Sequence, residues 1–198
     1  CFMQVGLTGH KAGIGKAFYE LYKNDYVWVL LDRNEEWSCD VRDTAKAFDH
    51  LRDVDIFINN VYCENTQSTL FDTWSVFNQD KDKLCVNIGS VVANTTNDIF
   101  FEEDYYKNKL ELHTKTHNWN NLRPECKASL VVPAFCDTDF AGKDVYKSKE
   151  VLEELRTKFH YFKKQHKLLK PESVAKVIKF IIDEWESGNH INTLEMRN

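Results

Sequence analysis

Two groups of residues have types and spacings that could do chemistry. The first is the loop Gly9-His10-Lys11-Ala12-Gly13-Ile14-Gly15, a G-x-x-x-G-x-G spacing between an apolar run and a helical pattern. Glycine permits a tight turn and close backbone approach, and the amides at a helix start favour a pyrophosphate. Asp32 lies 17 residues beyond Gly15, at the end of the next apolar run. A carboxylate there can accept hydrogen bonds from an adenosine ribose. Glycines alone would make only a turn, with Asp32 opening an ordinary loop; strand, glycines, helix and acid together favour a dinucleotide. The second group is Tyr105 with Lys109. Residues four apart share a helix face, and the lysine charge favours a phenolate. Tyr106 has Leu110 at that spacing, so Tyr105 is the candidate. The plainer reading is an aromatic packed against a sheet beside a solvated lysine.

The elements that must position these residues alternate. Apolar runs at Met3–Thr8, Tyr26–Leu31, Asp55–Asn59, Leu84–Ile88, Ser129–Val132 and Asn192–Met196 read as strands. Most are continuous rather than alternating, as expected for strands covered on both faces. Helical patterns fall at Gly15–Lys23, Asp43–Arg52, Ser68–Asn78, Glu103–Trp119, Lys149–Lys167 and Glu172–Glu186. Pro171 suits the first turn of the last helix, and Gly188 lies just past its end. Strands alternating with crossover helices predict an α/β fold, a doubly wound parallel sheet in three α/β/α layers of Rossmann type. The 198 residues read as one domain, 1–198.

Composition excludes other classes. A net charge of −5 gives no basic footprint for nucleic acid. No apolar run approaches the roughly 20 residues that span a bilayer, so no membrane partner is expected. The first residues have no signal-peptide pattern. The cysteines Cys1, Cys39, Cys63, Cys85, Cys126 and Cys136 are scattered without a C-x-x-C pair. They read as reduced thiols in a cytoplasmic protein. No His, Asp or Glu spacing suggests a metal.

The chain resembles the short-chain dehydrogenase/reductase family. Thr8 to Gly15 matches that family's T-G-x-x-x-G-I-G signature. Asp40-Val41 resembles the D-V pair at the adenine, and Asn59-Asn60 the start of N-N-A-G. Val86 to Ser90 is similar to the strand ending at the catalytic serine, and Tyr105 to Lys109 supplies Y-x-x-x-K. Pro133 and Thr138 resemble the P-G…T segment at the nicotinamide end, and Leu169–Ile182 the last helix. The resemblance implies an NAD(P)-dependent oxidoreductase that moves hydride between nicotinamide and a small carbonyl or alcohol substrate. Tyr105 would donate the proton, Ser90 would hold the carbonyl oxygen, and Lys109 would hold the nicotinamide ribose. Asn65 is the candidate for the asparagine that often completes the set. Asp32 favours NAD, whereas Arg33 and Lys11 suit the 2′-phosphate of NADP; the lean is to NAD. The resemblance also implies a homodimer or tetramer built by helix pairing.

The chain departs from the pattern in places. Tyr62 stands where N-N-A-G ends in glycine, Ala134 follows Pro133 in place of glycine, and only 27 residues separate Asn60 from Asn87. A helix near the expected subunit interface is therefore expected to be shortened or lost. These departures motivate an alternative, a catalytically inactive dinucleotide-binding sensor or scaffold. The resemblance implies a substrate-loop insertion at about 137–170, where Lys147, Lys149, Arg156, Lys158, Lys163, Lys164 and Lys167 interleave with Phe159, Tyr161 and Phe162. A basic mobile lid would read this way, but an amphipathic helix with a solvated face is favoured. His160 and His166 are read as surface residues.

Overall fold

A computed structural model describes residues 3–32, 39–63, 65–94, 103–138, 149–165 and 167–197. Six parallel strands make one sheet: β1 (Gln4–Thr8), β2 (Val27–Leu31), β3 (Ile56–Asn59), β4 (Leu84–Ile88), β5 (Lys127–Pro133) and β6 (Thr193–Met196). Their spatial order is β2-β1-β3-β4-β5-β6. The helices are α1 (Gly13–Tyr22), α2 (Thr44–Leu51), α3 (Thr66–Phe77), α4 (Glu103–Asn121), α5 (Lys149–Gln165) and α6 (Pro171–Glu186). This is the expected Rossmann-like α/β architecture. Among the described residues, no helix is long and apolar enough to cross a membrane.

The strands read as apolar runs because both faces are covered. On one face Phe18 of α1 and Val174, Ile178 and Ile182 of α6 pack with Val5, Leu7, Ile58 and Val86 of the strands. On the other, Leu51 of α2, Leu70 and Trp74 of α3 and Leu112 of α4 pack with Phe57, Cys85 and Ala128. Trp74 is completely enclosed, its indole N–H donating to the Leu51 carbonyl at 2.9 Å. Burying an aromatic of this size without leaving its donor unpaired anchors α3 against α2.

Strand order locates the crevice. The chain runs from β1 to β2 on one side and then returns to β3 on the other side of β1. The loops after β1 and β3 therefore diverge at their carboxyl ends, leaving the crevice that such sheets use for ligands. The glycine loop follows β1 and Asn60 follows β3. Both expected features of α6 are present: Pro171 opens its first turn, and Gly188, at φ 85°, follows its last. At α3, however, the helix begins at Thr66 rather than Ser68. Thr66, Gln67 and Ser68 are polar, which reads as a loop in sequence, yet all three are buried.

Candidate active site

The glycine loop is locked before any ligand enters. Gly9 and Gly13 have φ of 75° and 55°, the left-handed region that glycine adopts without strain. Gly15 is needed for space instead. A Cβ there would collide with the Gly9 carbonyl oxygen and lie 2.8 Å from Asn60 Nδ2. Asn60 ties the loop to β3: its Nδ2 donates to the Thr8 carbonyl at 3.0 Å, and its backbone N–H donates to Thr8 Oγ1 at 3.0 Å. Ala12, the N-cap of α1, makes no side-chain cap, so the first amides of the helix remain for an anion. Asp32 stands at one rim, where its Oδ2 accepts from the Lys11 backbone N–H at 3.4 Å. At the other, the Thr138 methyl lies 3.4 Å from where a Gly13 Cβ would sit. A cradle of bare backbone, a helix start and a rim carboxylate fits a dinucleotide.

The second cluster lies on one face of α4. Tyr105, Lys109 and His113 follow one another at four-residue intervals. Lys109 is only 3% exposed, and its ammonium donates to the Ile88 carbonyl at the end of β4, at 2.7 Å, and to Gln67 Oε1 of α3, at 2.8 Å. It lies 5.7 Å from the centroid of the Tyr105 ring and 5.6 Å from that of Tyr62. The two tyrosine rings meet edge to face at 4.7 Å. One turn on, His113 Nε2 accepts from the Ser90 backbone N–H at 3.3 Å. That approach requires Gly89, because a Cβ there would collide with the imidazole. Ser90 Oγ accepts from the Val92 N–H at 3.3 Å, starting the short 3-10 turn Val91–Asn94. Helix α4 thus brings Tyr105 and Lys109 to the strand end that carries Ser90.

Burial sets the electrostatics. With its charge desolvated, Lys109 is lowered to about 7. His113 is lowered to about 4, first by burial and then by the nearby Lys109 charge, so near neutral pH it is an uncharged acceptor. Three of the thiols are poor nucleophiles: burial pushes Cys126 and Cys136 up to about 12 and raises Cys85 as well.

No protein-family model and no curated protein matches this chain. Solved structures do. A short-chain dehydrogenase/reductase from Burkholderia phymatum, in complex with NAD, aligns at TM-score 0.72 and 17% identity, over 98% of this chain and 88% of its own. A short-chain dehydrogenase from Sphingobium yanoikuyae, in complex with NADPH, aligns at 0.70 and 17%, over 96% and 87%. The aldohexose dehydrogenase of Thermoplasma acidophilum aligns at 0.66 and 19%, over 98% and 92%. The chain has the short-chain dehydrogenase/reductase fold.

Within that fold the remaining candidates fall in several places. Asn59 is buried, its Nδ2 donating to the Gln67 carbonyl and to Asn87 Oδ1, each at 2.8 Å; it braces the strand ends. His10 is buried with its ring 5.8 Å from that of Tyr19, and Ile14 packs on the core of the α1 face. Val41 is buried in the opposite core. Asp40 accepts from the Arg42 guanidinium, with Nε at 2.9 and 3.0 Å, and from its backbone N–H at 2.9 Å. Pro133 ends β5 opposite Met196. Arg33 lies outside the described residues.

Asn65 is exposed and serves as the left-handed N-cap of α3, its N–H donating to Asn108 Oδ1 at 2.8 Å. The side chain from this helix that reaches Lys109 is instead Gln67, two residues on. Starting the helix at Ser68 leaves Gln67 in a loop; three consecutive polar residues before an apolar helical pattern were its only sequence signal. His113 was missed likewise, though it continues the Tyr105–Lys109 spacing by one more turn.

In the segment expected to form the substrate loop, Phe162 of α5 packs on Phe135 at 4.7 Å, and Leu169 N–H donates to the Phe135 carbonyl at 2.9 Å. Lys158 pairs with Glu154 and Lys163 with Asp137, all exposed, which is the solvated charged face the sequence favours. His160 is exposed, and His166 and residues 139–148 lie outside the described residues.

His113 carries a prediction about acid stability. Its folded value of about 4 lies below the ordinary 6.5, so between the two the unfolded chain binds the extra proton. The stabilisation is complete above pH 6.5 and lost as pH falls toward 4, about 3 kcal/mol for this site. Denaturant midpoints should therefore fall less steeply with acid in His113→Gln than in the wild type. Parallel curves would remove His113 from the acid response.

Proposed function

We propose that this protein is an NAD(P)-dependent oxidoreductase acting on a small carbonyl or alcohol, with Ser90, Tyr105 and Lys109 at the reacting centre. The observation that carries the reading is the buried Lys109 ammonium, held at the end of β4 within 5.7 Å of the Tyr105 ring. The glycine loop holds the pyrophosphate on backbone amides, and Lys109 holds the ribose next to the nicotinamide. A nicotinamide bound there supplies or accepts the hydride. In the reducing direction the Ser90 hydroxyl donates a hydrogen bond to the substrate oxygen, stabilising charge as it develops. The Tyr105 hydroxyl passes its proton to that oxygen, and the Lys109 charge stabilises the phenolate left behind. In the other direction the phenolate takes the proton from the alcohol.

A second reading is favoured by one feature. Tyr62 packs on Tyr105 and faces Lys109 from the loop after β3. A protein that kept the cradle but covered the reacting pair would bind a dinucleotide without turning it over. Titration with NADH and NADPH, followed by a screen of carbonyls and alcohols, separates the two. Binding with turnover supports the oxidoreductase; binding without turnover across the screen supports the sensor.

Asp32 inclines the cradle toward NAD, because a carboxylate at that rim accepts from ribose hydroxyls and repels a 2′-phosphate. Asp32→Ala is expected to weaken NADH and strengthen NADPH, shifting their affinity ratio about tenfold or more toward NADPH, each tenfold being about 1.4 kcal/mol. An unchanged ratio by fluorescence titration would locate cofactor choice elsewhere.

A further inference from the structure

The first turn of α3 buries Gln67 among three elements. Its Nε2 carries two hydrogens and faces two main-chain carbonyls, Asn59 at 2.6 Å, ending β3, and Ile88 at 3.1 Å, ending β4. Carbonyls only accept, so the amide has one orientation: nitrogen toward the strands and Oε1 toward Lys109, 2.8 Å away. The Ile88 carbonyl receives both Gln67 Nε2 and Lys109 Nζ, which closes a triangle of side chain, strand end and ammonium. Two of the three Lys109 hydrogens are thus assigned to acceptors that cannot turn. The short β3-to-β4 connection makes this possible, since α3 starts seven residues after β3 ends.

We propose that Gln67 is the positioning residue for Lys109, a neutral clamp that fixes the ammonium beside Tyr105. Its functional meaning rests on the oxidoreductase reading, but the clamp itself does not. A long flexible lysine beside a reacting tyrosine is useful only if it is already in place. Gln67 supplies that without a countercharge. The titratable groups facing the ammonium are Tyr105 and His113 from α4 and Tyr62 after β3, while α3 and β4 present the amide and a carbonyl. Among the described residues, no carboxylate is ion-paired with it. A glutamate in the same place would neutralise the charge that Tyr105 uses.

The test is a pH titration by NMR on the ligand-free protein, following the Lys109 13Cε and the Gln67 side-chain 15N resonances. In the wild type both are expected to move with one shared midpoint. Gln67→Glu is expected to raise the Lys109 midpoint by about one to three pH units, as an adjacent opposite charge does. Gln67→Met, which keeps the shape and loses the acceptor, is expected to lower it. The kcat–pH profile should shift in the same directions. A Gln67 amide that ignores the Lys109 titration, or an unmoved midpoint in Gln67→Glu, overturns the proposal. The wild-type measurement stands even if a variant does not fold. A wild type that titrates as expected but turns nothing over supports the clamp and sinks the oxidoreductase.

Discussion

Tyr105→Phe should lower kcat at least about a hundredfold, the usual worth of a positioned proton donor. Cofactor affinity should change little. The substitution removes one oxygen and keeps the ring, so the edge-to-face contact with Tyr62 at 4.7 Å and the packing of α4 persist. Melting temperature should therefore stay near that of the wild type, and the loss belongs to the chemical step. Tyr106→Phe is the matched control, because position 106 has Leu110 rather than a lysine one turn on. Steady-state kinetics of both variants, with NADH binding measured separately, decide the matter. Wild-type kcat in Tyr105→Phe would remove the proposed donor; equal losses in both variants would point to a general disturbance of α4.

Gly15→Ala should act on binding rather than on the chemical step. The added methyl meets the Gly9 carbonyl oxygen, which is backbone and cannot rotate away, and it also crowds Asn60. Overpacking of this kind costs about 1–3 kcal/mol. Relief would require the loop to move away from β3, breaking the Asn60–Thr8 bonds that hold the crevice. Dinucleotide affinity should fall about tenfold or more, with a lower melting temperature. Gly188→Ala offers the contrast. Its φ of 85° strains any larger residue, yet beyond its chain neighbours no atom of the described residues lies within 4 Å of the added carbon. It should lower stability and leave cofactor binding intact. If Gly15→Ala binds NADH as the wild type does, the loop is not the pyrophosphate cradle.

The order of strands and helices was legible because apolar runs and helical periods alternate, and strands covered on both faces leave a continuous signal. The glycine loop was legible because its spacing is stereochemical: Gly9 and Gly13 need the left-handed region, and Gly15 needs space. The Tyr105–Lys109 pair was legible because four residues make one helical turn. Gln67 and His113 were not. Each is a polar residue whose role depends on a partner far along the chain: Lys109 is 42 residues from Gln67, and Ser90 is 23 from His113. Polar residues at a helix start read as exposed, and only packing shows that they are enclosed. The Tyr62 contact was hidden for the same reason, since the sequence shows a bulky residue after Asn60 but not which rings it meets.

The parallel pairing also governs how this molecule must assemble. No two neighbouring strands are joined by a hairpin. Gln4 pairs with Val27, Val5 with Ile56, and Leu130 with Thr193, so each of these ladders closes a long loop before it returns any stabilisation. Such a topology folds slowly compared with helical bundles of similar size. The glycine loop and its Asn60 brace need only β1, α1 and β3, whereas the Tyr105–Lys109 face needs β4 and α4, which emerge later from the ribosome. During synthesis the segments around the glycine loop are therefore available for pairing before the half carrying Tyr105 and Lys109 exists. If the loop binds a dinucleotide as proposed, one arriving early would act as a folding ligand, drawing the first strands together while the remainder of the sheet is still being made.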